Sequence, residues 1–491
     1  MMKAGKNGEL HLQLEKWARL YGEICRVRVG LITEFFINSD KAVKAIFDKS
    51  SACTSERPRW IIAKELFSNS WNVLLLNASD SRWKNQRRIM NTHMSSPQKA
   101  DAGLPSLYRE TLRFLYNASH DSDAGTDKQD VWPQLERYTY SAFAQQTFGL
   151  EIKHDTSPTI PYIKETGLAQ IIATFPGSYI VDMFEVLDKL PSFMKVWERD
   201  ARARFQRDME WCRQQMKKVK KLVSNGKAPD ALLPKALADE KLLGFPCEDE
   251  AAYMSMMLII AAADTSQIST WSFLEAMLLY PDVQVKARQQ IDEAVKDRLP
   301  VWEDLERLPY VRCLMKEVWR WRPPVALGHP HVTTRDLEYG GYRIPKGSRL
   351  HLNAWAIQHD PARHDDPHRF WPERYLNDTT TSLQSANLPD PTKRDHFAFG
   401  AGRRICPGLH VAERSLALAI MRILWACDIR PKPSAAGKRI DPADFRGAMP
   451  GNAGTGMPVA LVVRAERRKA IEEAYARDVD ERGEGFGTLD D

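Results

Sequence analysis

Residues 248–280 carry one unbroken helical pattern, apolar on several faces at its centre through Met254, Met257, Leu258, Ile259 and Ile260. A helix that is apolar all round is a buried one. This segment is therefore expected to cross the middle of the fold, with the other elements packed about it. It does not read as a membrane span. Its most apolar part, 251–263, falls short of the ~20 residues a bilayer crossing takes and runs directly into Asp264. No other span is longer and as apolar, and the first residues, Met-Met-Lys-Ala-Gly-Lys, hold no signal-peptide core. The chain as given is expected to be soluble, with any anchor lying outside it.

Around that helix the pattern predicts mainly more helix. Leu10, Leu14, Trp17, Ala18 and Tyr21 recur at helical spacing before Gly22. Strand-like pieces follow at Ile24–Val29 and 33–37, then a short helix over 40–48. Helical patterns recur over 82–90, 105–117, 134–148 and 193–222, the last dense in charge. The stretch 224–246, with its Gly and Pro residues, is the best linker candidate, although 230–240 can hold a helix. Tyr280-Pro281 ends the long helix, and Pro281–Val295 and 308–321 give two more. Over 332–352, Gly340-Gly341 and Pro345-Lys346-Gly347 separate short β-type runs, as a small sheet of hairpins does. Residues 370–408 read mostly as loop, Leu409–Ala426 as an amphipathic helix and Val459–Val463 as a last strand.

The 491 residues set a prior of about three domains, but no break in composition is clean enough to cut a second one. The predicted class is α-dominated α+β: one large mainly helical domain over 1–477 with a minor β-sheet region, then a disordered acidic tail over 478–491. A net charge of +6 suits an anionic membrane surface or an acidic partner; without a dense basic run it does not argue for nucleic acid. Seven scattered cysteines, odd in number and free of any C-x-x-C pair, argue against a disulfide framework or zinc cluster and better fit a reducing, cytosol-facing location.

The most informative stretch is Phe399-Gly400-Ala401-Gly402-Arg403-Arg404-Ile405-Cys406-Pro407-Gly408. Two glycines before the cysteine let the backbone turn tightly and approach a flat ligand. Pro407 suits a first helical position, which sets Cys406 at a helix N-terminus where dipole and free N–H groups stabilise a thiolate. Arg404 offers an always-charged fork for a carboxylate. A lone cysteine here would be a small core residue, but the spacing F-G-x-G-x-R-x-C-x-G is filled at every position. It resembles the haem-binding signature of the cytochrome P-450 family.

Other signatures of that family follow in order. Glu317-Val318-Trp319-Arg320 resembles its E-x-x-R, and Pro372-Glu373-Arg374-Tyr375 its P-E-R-F segment with Tyr in the last place. An isolated E-x-x-R is an exposed ion pair of small worth. With Arg374, the resemblance makes Glu317 and Arg320 a buried charge triad with a structural role. Trp83-Lys84-Asn85-Gln86-Arg87 resembles the W-x-x-x-R helix, with Trp83 and Arg87 on one face. His331, in Gly328-His329-Pro330-His331, falls where related sequences place a propionate-binding basic residue; His329 is an unexplained extra. The resemblance implies haem b (iron protoporphyrin IX) with Cys406 as axial ligand, bound by Trp83, Arg87, His331, Phe399, Arg404 and Gly408.

Inside the long helix, Ala261-Ala262-Ala263-Asp264-Thr265-Ser266 sets an acid and a hydroxyl after small residues. The bland reading is side chains bonding back to the preceding turn, yet a buried Asp without a partner is costly. The segment resembles the A-G-x-D/E-T-T oxygen-activation motif, which makes Asp264 and Thr265 the catalytic acid–hydroxyl pair. Ala262 replaces the usual Gly, adding a methyl where the helix normally bulges, and Ser266 replaces the second Thr.

The implied activity is monooxygenation of a small hydrophobic substrate, in the style of fungal natural-product members. Electrons would come from an NADPH-dependent cytochrome reductase, with cytochrome b5 as an alternative donor, docking on a face carrying Arg82, Lys84, Arg87, Arg88 and Arg403. Such members are held to the endoplasmic reticulum by an N-terminal helix that this chain lacks, with a membrane-surface contact and a monomeric state expected. Substrate contacts are expected near 60–71, 171–175, 256–260, 325–327 and before Pro458, all largely apolar. Two competing readings are a haem-thiolate isomerase or dehydratase working without reductase, which Asp264-Thr265 speaks against, and a non-catalytic haem sensor.

Overall fold

The computed structural model describes residues 9–438, 457–482 and 487–490. Helix α1 (Leu10–Tyr21) stops at Gly22, whose N–H returns to Ala18 O. Strands β1 (Ile24–Val29) and β2 (Ile32–Ile37) form a hairpin. The predicted helix over 40–48 divides into one α-turn, Asp40–Val43, and a wider π-turn, Lys44–Lys49. Then come α2 (Ser81–His93), α3 (Leu104–Ser119), α4 (Trp132–Thr147), α5 (Thr159–Thr174) and α6 (Val196–Ser224). The candidate linker holds a short helix, Leu232–Ala238.

Helix α7 (Glu248–Leu279) has 32 residues, about 48 Å at the α-helical rise. Glu248, Asp249 and Glu250 fill its first turn, where acids suit the dipole, and Pro281 ends it. Its first half packs against α5 and α6 in one core cluster, and its second half against α3 and α4 in another. Helices α8 (Pro281–Val295) and α9 (Pro309–Trp321) follow. Strands β3 (His331–Val332) and β6 (Arg349–Leu352) complete a sheet ordered β1-β2-β6-β3, beside a hairpin of β4 (Leu337–Tyr339) and β5 (Tyr342–Ile344). Gly340 and Gly341 both take positive φ in that hairpin's turn, which two-residue connections require. Helix α10 (Leu409–Ala426) is buried along almost its whole length, and β7 (Cys427–Pro431) pairs with β8 (Val459–Val463).

Two expectations change here. Helix α10 begins at Leu409 after Gly408, so Cys406 and Pro407 stand in a turn ahead of it rather than at its first position. Residues 478–482, expected in a disordered tail, are instead the last turns of α11 (Ala465–Arg482). Further on, Thr488 bridges Glu151 and Leu489 is buried. An apolar residue and a strand-type pairing outweigh the charged composition of this segment. Residues 483–486 lie outside the described residues.

Candidate active site

Helices α2, α5 and α7, with the loop before α10, enclose a cavity of about 380 Å³. Cys406 and Gly408 line it from the loop, and Ala261, Asp264 and Thr265 from α7. The cavity thus explains why Ala261 is exposed within an otherwise buried stretch of helix.

The cysteine loop is fixed from both sides. The Cys406 N–H donates to Phe399 O at 2.9 Å, closing the turn. Arg394 donates to His396 O at 2.9 Å and Gly400 O at 2.6 Å from beneath it. Gly402 has φ +64°, and a Cβ there would stand 2.0 Å from Phe47 O. Its N–H donates to the Asp48 carboxylate at 2.8 Å. The close approach that glycine permits at 402 is therefore to the backbone of 44–49, not to a ligand. Burial raises the Cys406 thiol above its usual range, while the Gly408 N–H and the Arg87 charge pull it down. A bound metal ion reverses that balance by replacing the proton outright.

Three guanidiniums border the cavity. Arg404 donates to Ser55 O at 2.9 Å and to Leu76 O, and lies over the Trp83 ring at 4.6 Å. Arg87 donates to Ile405 O at 3.1 Å. Arg57, which sequence reasoning missed, is buried and donates to Leu74 O, His329 O and Pro330 O at 2.8–2.9 Å. Every one of these partners is a neutral carbonyl; among the described residues none of the three makes an ion pair with a carboxylate. Buried cations without anions are costly, and burial lowers the pKa of all three. A planar dianionic ligand above a thiol meets these charges, so the donor set fits haem b. No local signal marks Arg57, since its carbonyl partners at 329 and 330 lie in a distant segment.

His331 also lines the cavity, but as a neutral ring. Its Nδ1–H donates to Thr54 O at 2.7 Å. Burial and then the Arg57 charge hold its pKa well below the usual histidine value. His329 is likewise depressed, to about 3, by burial and Arg57. The charge that stands beside His331 is that of Arg57. Phe399 and Trp83 line the cavity too, with Phe399 edge-on to Trp319 at 4.9 Å.

Glu317, Arg320 and Arg374 meet behind the loop. Arg320 grips Glu317 through Nε and Nη2 at 2.7 and 2.8 Å, and both side chains are wholly buried. Arg374 Nε stands 3.1 Å from the same carboxylate, and the Trp371 N–H donates to it at 2.7 Å. Arg320 also donates to the carbonyls of Gln358, Pro367 and Arg369. The Gln358 side chain accepts from the Phe397 N–H. The network thereby reaches the start of the cysteine loop.

On α7, Thr265 Oγ1 donates to Ala261 O at 2.8 Å, and the helix is continuous through Ala262. Asp264 is 7% exposed and accepts from the Tyr140 hydroxyl of α4. Burial raises its carboxyl to about 6, opposed by the Tyr140 hydrogen bond. Tyr140 was another residue that spacing did not reveal.

Of the expected substrate contacts, Trp71, Ile171, Thr174, Met257, Leu258, Ile260 and Val325 line the cavity. Before Pro458 only Met457 is described. One polar pair enters this apolar wall: Asn72 donates to Gln170 at 2.6 Å, and Gln170 to Tyr253 at 2.8 Å. Of the expected basic face, Lys84, Arg88 and Arg403 are exposed, Arg82 pairs with Glu250 at 3.3 Å, and Arg87 turns inward.

Residues 1–451 match the family model described as "Cytochrome P450". A "Cytochrome P450 monooxygenase" of Gibberella fujikuroi is 55% identical over 485 residues, spanning 98% of this chain and 88% of that protein. "Cytochrome P450 monooxygenase virE" of Hypocrea virens is 34% identical over 94% of this chain and 82% of its own. Among solved structures, a zebra fish cytochrome P450 determined with progesterone superposes with TM-score 0.71 over 92% of this chain and 99% of that one, at 21% identity, a likeness of fold.

Proposed function

The chain belongs to the cytochrome P450 family and is a haem-thiolate monooxygenase; from that premise we propose the roles of its residues, its substrate type and its partners. Cys406 would ligate the haem iron through its thiolate, and Arg57, Arg87 and Arg404 would hold the haem propionates. Haem b, when bound, supplies the oxygen activation that puts one atom of O2 into the substrate. The chain's own part is to hold the cofactor, exclude water from an apolar cavity and bring protons through Asp264 and Thr265. The observation that carries this reading is that the thiol and the acid–hydroxyl pair, remote in sequence, line one cavity.

The substrate is a small hydrophobic molecule of natural-product biosynthesis, with one polar group met by Asn72 and Gln170. Electrons come from an NADPH-dependent reductase docked on the face of Lys84, Arg88 and Arg403. Thr265→Ala is expected to retain haem but to lower product per NADPH several-fold, with hydrogen peroxide rising to match. The assay uses purified protein, reductase, NADPH and a panel of lipophilic compounds. Wild-type coupling in the variant overturns the role of Thr265, and turnover without reductase favours an isomerase. Reduction that does not slow with added salt overturns the docking face.

The protein rests on the cytosolic face of the endoplasmic reticulum. Among the described residues no helix is long and apolar enough to cross a membrane. The segment between α5 and α6 instead exposes Ile180, Val186 and Phe193, and the first residue of α6 exposes Val196, at 61–84%. Met183 reaches the β1–β2 turn, where Leu31 is 69% exposed. Exposed apolar side chains grouped in one segment are a membrane-contact feature. Phe193→Asp with Val196→Asp is expected to reduce co-sedimentation with phospholipid vesicles several-fold; unchanged binding removes this patch from the contact.

A further inference from the structure

The carboxyl of Asp264 is enclosed by protein yet belongs to the cavity wall. Its Oδ1 accepts from the hydroxyl of Tyr140, and the charged and titratable groups facing it are Tyr140 and Glu136 from α4 and Lys164 from α5. Glu136 and Tyr140 lie one turn apart on the same face of α4. Glu136 is ion-paired with Lys164, and that pair is partly exposed, at 14% and 29% of the two side chains. The partly exposed pair therefore stands one helical turn along α4 from the tyrosine that meets the cavity acid.

We propose that Tyr140 is a positioning residue for proton delivery, fixing which oxygen of Asp264 carries the acid's proton and stabilising the carboxylate once that proton has left. This rests on the reading of Asp264 and Thr265 as the proton-supplying pair. A neutral carboxyl has one O–H and otherwise accepts. Burial, with Asp264 and Glu136 nearby, raises the Tyr140 phenol well above its usual value, so Tyr140 remains the donor. With Oδ1 occupied as an acceptor, the acid's proton resides on Oδ2. On delivery the Oδ2–H bond breaks and the proton passes into the cavity. The charge left on the carboxylate shortens and strengthens the Tyr140 hydrogen bond. A proton from solvent then restores the acid, entering past Glu136 and Lys164.

The test follows the infrared carbonyl band of the protonated acid against pH in the ferric holoenzyme, with Asp264→Asn identifying the band. Tyr140→Phe removes the bond that favours the carboxylate, so the titration midpoint is expected to rise by about one pH unit, a roughly tenfold gain in proton affinity. Replacing Tyr140 with difluorotyrosine, a stronger donor of nearly the same shape, moves the midpoint down. It also decides the matter if Tyr140→Phe fails to take up haem. A midpoint unchanged or lowered in Tyr140→Phe, or unchanged with difluorotyrosine, overturns the proposal, as does a pH-insensitive Asp264 band. A pH-insensitive band also removes Asp264 from proton delivery, whereas the other outcomes leave the function reading to Thr265→Ala, which decides it by the fate of the reducing equivalents.

Discussion

Cys406→Ala is expected to abolish the thiolate-type ferrous carbon monoxide spectrum and all reductase-dependent turnover, while the chain stays folded. The loss is complete because no second thiol can take the place. Of the other cysteines, Cys25, Cys53, Cys212, Cys313 and Cys427 are buried elsewhere and Cys247 is exposed, and none lines the cavity. Stability is spared because the turn is held by the backbone. The 406 N–H still donates to Phe399 O, Gly402 still docks on Phe47, and Arg394 still donates to Gly400 O. Circular dichroism with the carbon monoxide spectrum separates the two effects; a thiolate-type spectrum in the variant would exclude Cys406 as the ligand.

Arg320→Ala acts in the opposite way, through the fold. Among the described residues it leaves the buried Glu317 carboxylate with only Arg374 and the Trp371 N–H as partners, and removes the Arg320 donor from three carbonyls, of which only Arg369 O keeps another, from Arg374. Breaking a buried ion pair costs about 3–5 kcal/mol, a large share of the ~5–15 kcal/mol that holds a domain together. The variant is expected to be haem-free and largely insoluble. Arg320→Lys rescues little, because an ammonium cannot span both carboxylate oxygens and the carbonyls together. Haem content and thermal unfolding measured beside Cys406→Ala check this. An Arg320→Ala protein with wild-type melting would place the triad's worth near that of an exposed pair.

The contrast between these variants follows how each feature was legible in the chain. Local periodicity carries burial, so the central helix, Pro281–Val295 and Leu409–Ala426 could be read directly from the spacing of apolar residues. Spacing also carries the order of the Cys406 turn, the Glu317–Arg320 pair and the Asp264–Thr265 pair, each of which lies within one turn of backbone. Local reading set Pro407 at a first helical position, because proline is compatible with a first helical turn as well as with the turn it occupies ahead of α10. It misjudged residues 478–482 and 487–490 because charge dominates the composition, while Thr488 and Leu489 are buried and Thr488 bridges Glu151.

What only the tertiary structure decided is which distant groups oppose one another. Arg57 finds His329 O across 272 residues, and Tyr140 finds Asp264 across 124. Neither pair leaves a pattern in the sequence, because a hydrogen bond or an unpaired charge depends on the partner's position in space rather than its place along the chain. The same reason separates the two glycines of the cysteine turn. Gly400 only needs its positive φ, whereas Gly402 also needs an empty Cβ position, because the carbonyl of Phe47 is folded against it. The sequence by itself determined the buried helix and carried the cysteine turn and the acid–hydroxyl pair to which iron ligation and proton transfer are assigned as proposals. The fold determined that His331 is a neutral ring, that Arg57 supplies the charge beside it, and that a tyrosine holds the acid above the cavity.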